Sequence, residues 1–133
     1  MSTETDYEAQ AAAPVVPWSS EAEQSVLGAV LLDNQAVDRV ADILTAQAFW
    51  SAPHRLIWTA VCELVMASKP ADPITVLERL QAKGEADAAG GLAYLSSLMN
   101  SVPSASNCRR YAEIVAERAA RRAAIEAAKW VAA

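Results

Sequence analysis

The chain is poor in the residues that carry chemistry. Its 133 residues include four glycines, one histidine and two cysteines. The glycines stand at 28, 84, 90 and 91, so neither G-x-x-x-x-G-K-[ST] nor G-x-G-x-x-G can be written. Both common ways of cradling a nucleotide phosphate on a glycine-rich loop are excluded. His54 and the distant pair Cys62 and Cys108 give no zinc-ligand spacing. A His-based triad would have to use His54, which follows Pro53 at a helix start, where a structural histidine is the plainer reading. No catalytic, cofactor-binding or metal-binding residue is therefore expected. The cysteines lie in no motif and read as free thiols of a reducing cytoplasm. No apolar run approaches the roughly 18 residues of a membrane span. The N-terminus lacks the basic and apolar regions of a signal peptide. Gly and Pro are scarce and β-branched residues never alternate, which argues against a sandwich or barrel.

What is present is aliphatic and uneven in charge. Apolar residues make up 53% of the chain, and 30 of these 71 residues are alanine. The remaining 41 suffice for the core of one small domain, and the length does not allow two independent cores. Residues 1–108 carry 13 acidic against 5 basic side chains, whereas residues 109–133 carry 3 against 6. The net charge is −5. An acidic head repels a phosphate backbone, so direct nucleic-acid binding by this part is disfavoured.

Residues 1–17 hold Glu4, Asp6 and Glu8, three successive alanines and two prolines, and read as a disordered acidic tail. A helical head is expected over 18–104 and a long C-terminal helix over 105–133. Ser20 and Glu23 have capping-box spacing ahead of Val26, Leu27, Val30 and Leu31, which predicts a first helix over 20–32. Asn34 is a candidate cap for a second helix over 35–45. Phe49 and Trp50 fall in a connection. Ser51 and Pro53 open a third helix, 53–67, striped by Ile57, Val61, Leu64 and Val65. Asp72 caps a fourth helix that starts at Pro73 and is closed by Gly84. Gly90-Gly91 opens a fifth, 91–100. The core candidates are Leu27, Val30, Ile57, Leu64, Leu77, Leu95 and Ile114.

The sixth helix, 105–131, is alanine-dense and carries the opposite-charge pairs Glu117/Arg121 and Arg122/Glu126 at a spacing of four. At 1.5 Å per residue it is roughly 40 Å long, more than a head of this size needs, so its last turns are expected to project. Its basic residues alternate with Glu113, Glu117 and Glu126, which fits a salt-bridged face or a protein interface better than a nucleic-acid patch. Trp18, Trp50, Trp58 and Trp130 read as core or interface anchors, since no basic residues interleave with them. Gly28 in mid-helix costs about 1 kcal/mol against alanine, and a neighbouring helix passing close by would compensate.

Several strings add information beyond periodicity. Ser20-Glu21-Ala22-Glu23-Gln24-Ser25-Val26-Leu27-Gly28 resembles the opening of the N-terminal domain of bacterial replicative DNA helicases of the DnaB type. Phe49 with Pro53-His54-Arg55 is similar to that family's second signature. Asp72-Pro73-Ile74-Thr75, Gly90-Gly91-Leu92-Ala93-Tyr94-Leu95, Pro103-Ser104-Ala105-Ser106-Asn107, and Tyr111-Ala112-Glu113-Ile114-Val115 with Arg118 continue it in order.

The resemblance implies an all-α, six-helix head whose last helix begins a helical hairpin. It implies a non-catalytic module for hexamer assembly and primase docking in DNA replication, in the cytoplasm. ATP and Mg are then expected only in a separate ATPase domain, which makes this chain part of an ATP-dependent helicase. The implied partners are copies of itself, paired within a hexameric ring, then primase, and a helicase loader or initiator protein. The rivals are the helicase-binding domain of a primase and a free-standing helical adaptor without ATPase. The expected partner contacts lie on the projecting helix at Glu117, Arg118, Arg121, Arg122 and Glu126.

Overall fold

The structure, a computed structural model, describes residues 15–132. Among these the chain is all helical. Helix α1 spans Ser20–Leu32, α2 Ala36–Val40, α3 Ala52–Met66, α4 Pro73–Ala82, α5 Gly91–Asn100 and α6 Cys108–Ala132, with a 3₁₀ turn at Ala46–Ala48. The expected acidic segment 1–17 lies outside the described residues except for Val15–Pro17, which run beside α6.

Helix α1 is the central element, and its sequence explains why. Ala22, Glu23 and Val26–Leu31 are all buried, so apolar surface surrounds its second half rather than forming one stripe. A helix that is apolar on every side has to be enclosed. It packs against α6, α5 and α3, while α4 closes the far side between α3 and α5. Gly28 lets α5 come close. A Cβ there would sit 2.2 Å from the Leu98 carbonyl oxygen and 3.2 Å from Val102 Cγ2. The close approach expected of this glycine is what the packing shows.

Local signals set most boundaries. Asp72 accepts from the Thr75 amide at 2.9 Å, and Thr75 Oγ1 accepts from the Asp72 amide at 2.8 Å. This reciprocal cap, with Pro73 in the first turn, starts α4. Gly84 ends it at φ 71°, and the Glu85 amide then donates to the Leu80 carbonyl at 2.8 Å.

Four expectations are corrected. Ser19, not Ser20, caps α1: its hydroxyl accepts from the Ala22 amide at 3.1 Å. Glu23 does not reach back to the cap, because it is buried at 1% exposure and bonds elsewhere. Helix α2 ends at Val40 instead of 45, and Asn34 does not cap it. Asn34 instead clamps the loop before α4, donating to the Val30 and Ala71 carbonyls at 2.8 Å each and accepting from the Ala71 amide at 2.9 Å. Helix α6 starts at Cys108 rather than 105, since Ser104 and Ser106 pair their hydroxyls at 2.8 Å and Ser104 accepts from the Ser106 amide. Such side chain–backbone bonds compete with helix formation.

The fourth correction concerns the core. Leu27, Val30, Ile57 and Leu95 are fully buried as expected, but Leu64, Leu77 and Ile114 only flank the core. Phe49 takes a central place instead, at 0% exposure and 5.5 Å between ring centroids from Trp58.

Candidate functional site

Two features stand out. The first is a buried polar joint. Glu23 Oε1 lies 2.7 Å from His54 Nδ1, and His54 Nε2 lies 2.5 Å from the Tyr94 hydroxyl. Glu23 also accepts from the backbone amides of Trp50 at 2.7 Å and Ser51 at 3.3 Å. One ring nitrogen of His54 thus faces the carboxylate and the other the Tyr94 hydroxyl. Burial, followed by the nearby Glu23 charge, raises the Tyr94 phenol above its ordinary value of 10.0. Glu23 and His54 are 1% and 2% exposed. The joint ties α1, α3 and α5 together. Among the described residues, no three His, Cys, Asp or Glu side chains gather to hold a metal ion.

The second feature is the outer half of α6 with the groove beside it. From Ala123 to Val131 every residue of this helix is exposed. Trp130 and Val131 are 81% and 89% exposed, an unusual position for apolar side chains of that size. The groove has a volume of about 610 Å³. Val15–Pro17 form one wall, Ala119, Ala123 and Ile125 of α6 the other, and Trp50 and Arg122 lie between them.

The five expected contact residues sit on this helix but do different things. Glu117 pairs with Arg121 Nε at 2.5 Å and with Arg118. The Glu117/Arg121 pair is the one the spacing predicted. Arg122 does not pair with Glu126. Its Nη1 donates to the Pro17 carbonyl and its Nη2 to the Ala48 carbonyl, each at 2.7 Å. The guanidinium also lies 5.4 Å from the centre of the Trp50 ring. Glu126 pairs with Lys129 at 3.2 Å. The helix direction explains the difference: Arg122 faces the head, where carbonyls of the 3₁₀ turn offer acceptors. Nothing in the sequence signalled this, because Pro17 and Ala48 are 105 and 74 residues away. At the other end of α6, Arg109 grips Asp42 at 2.8 and 3.1 Å, which holds the Asp42 carboxyl below its ordinary value of 3.8.

The head thus buries Glu23 and His54 and leaves the outer half of α6 exposed. The profile of the DnaB-like helicase N terminal domain matches residues 15–117. The chain is 43% identical to the replicative DNA helicase DnaB of Haemophilus influenzae over 105 residues, which is 79% of this chain and 22% of that protein. It is 39% identical to DnaB of Geobacillus stearothermophilus over 118 residues, 89% of this chain and 26% of that one. In structure it is similar to the N-terminal domain of DnaB helicase from Mycobacterium tuberculosis, with a TM-score of 0.86 and 37% identity. That match covers 89% of this chain and 86% of the other. A DnaB-like replicative helicase solved for its interactions with primase gives a TM-score of 0.75 and 26% identity, over 85% of this chain and 27% of that one. The chain belongs to the DnaB-like helicase N-terminal domain family. It spans about a quarter or less of the length of these helicase relatives.

Proposed function

We propose that this chain is the non-catalytic N-terminal domain of a replicative DNA helicase, acting in the cytoplasm in ring assembly and primase docking. The observation that carries this reading is the uncovered outer half of α6, with its exposed Trp130 and Val131 and the apolar groove at its base. The likeness to a helicase solved for its interactions with primase supports the choice of partner. The identity to helicases along most of the chain supports the helicase side over the primase side. ATP and Mg²⁺ belong, in this reading, to a separate domain that carries the phosphate loop this chain lacks. A helicase loader or initiator protein would use the same arm.

The contact residues in this reading are Glu117, Arg118, Arg121, Arg122 and Glu126. The test reverses charge at Arg118 and Arg121 and leaves Arg122 in place, because Arg122 is bonded into the head. Primase affinity is measured by surface plasmon resonance and self-association by sedimentation velocity, in this chain and in the full-length protein that carries it. At least one of the two should weaken about tenfold, as expected for interface charges with a measurable role. If both stay at wild-type values, the docking role of this face is wrong.

A further inference from the structure

The groove beside α6 is not a property of the helix alone. One of its walls, Val15–Pro17, comes from the other end of the chain. That wall has little to hold it. Val15 is 82% exposed and Val16 38%, so apolar burial secures it poorly. Pro17 has no amide hydrogen to donate. Among the described residues, Val15–Trp18 make one hydrogen bond, from Arg122 Nη1 to the Pro17 carbonyl. The same guanidinium reaches the Ala48 carbonyl through Nη2 and lies over the Trp50 ring. Arg122 is also the last residue of α6 whose side chain bonds outside its own helix among the described residues. One planar cation thus fastens the strap, the 3₁₀ turn and α6 at a single point.

We infer that Arg122 is a latch and Val15–Pro17 a releasable strap, so that the groove on α6 exists in a closed, walled form and an open form without its second wall. The planar fork is what makes one side chain enough. It places two N–H groups on two carbonyls while its central carbon stays over the Trp50 ring. An ammonium group offers neither the two-pronged spacing nor the flat face. Both acceptors are neutral carbonyls, and no described carboxylate lies within 4.0 Å of Arg122. The closed form is therefore held by hydrogen bonds of one charged partner to neutral ones, weaker than a bidentate bond to a carboxylate. The device concerns only this chain's own contacts and stands whether or not the arm binds primase.

The test places a nitroxide on the strap through Val16→Cys and reads its mobility by electron paramagnetic resonance. The label is placed in a chain whose native Cys62 and Cys108 are replaced by alanine, so that only the new thiol carries it. With Arg122 present the label should show a restricted spectrum. In Arg122→Ala, and in the charge-preserving Arg122→Lys, its rotational correlation time should shorten about threefold while circular dichroism and the melting midpoint stay near wild type. A restricted spectrum retained in both variants overturns the latch. So does mobility that rises only together with loss of helicity, which would make Arg122 a general stabiliser of the fold. If Arg122→Ala does not fold, Arg122→Lys decides by the same two criteria.

Discussion

Glu23 distinguishes two physical accounts of the start of α1. As a capping-box partner it would be a surface carboxylate, and its removal would cost about 1 kcal/mol. As the centre of a buried joint it accepts from two backbone amides and faces His54. In Glu23→Ala, His54 can shift its proton to Nε2 and donate to Tyr94, which relieves one group. The Trp50 and Ser51 amides keep no such escape. Two stranded donors at about 1–3 kcal/mol each, partly offset by water reaching the exposed side of Trp50, give a loss of about 3 kcal/mol. Against a native stability of about 5–15 kcal/mol that is a large fraction. The assay is urea denaturation followed by circular dichroism. With a slope of about 2 kcal/mol per molar, the midpoint should fall by roughly 1.5 M at unchanged slope. Ser19→Ala and Ser20→Ala are the controls: the first should cost about 1 kcal/mol and the second close to nothing. A Glu23→Ala loss below about 1 kcal/mol, with Ser20 more sensitive than Ser19, would refute the buried joint and restore the capping box.

Gly28→Ala gains about 1 kcal/mol of helix propensity but forces a Cβ against the Leu98 carbonyl, so we expect a net loss of about 1–3 kcal/mol in urea melts. Leu27→Ala, at 0% exposure, should cost about 3 kcal/mol or more, whereas Leu64→Ala, which only flanks the core, should cost about 1 kcal/mol; equal losses would contradict the assigned core. Burial raises the Cys62 and Cys108 thiols from an ordinary 9.0 to about 11. Their reaction with a disulfide reagent at pH 8 should therefore run about a hundredfold slower in the folded chain than in denaturant. The sign for stability follows: above about pH 9 the unfolded chain ionises these thiols first, so stability contributed by the buried thiols is lost as pH rises.

Several features that depend on neighbours along the chain were legible in the sequence. The Asp72–Pro73–Thr75 start and the Gly84 stop of α4 are local chemistry, and both are where residue type placed them. So are the span of α5, the alanine-rich arm and the Glu117–Arg121 pair at one helical turn. The phosphate-loop motifs require glycines at fixed spacings, and the glycines at 28, 84, 90 and 91 do not have them. Which polar groups meet inside the fold depends on long-range packing. Glu23 and His54 are 31 residues apart, Asn34 and Ala71 37, and Arg122 and Pro17 105. Spacing along a helix cannot reveal such pairs, because whether a carboxylate caps its own helix or supports another depends on whether a second element covers it. Here the Phe49–Trp58 stretch covers Glu23, and burial turns a surface cap into an internal joint. The same reason moved Arg122 from a surface ion pair to a fastening of the groove: acceptors brought near by folding displaced the glutamate one turn away.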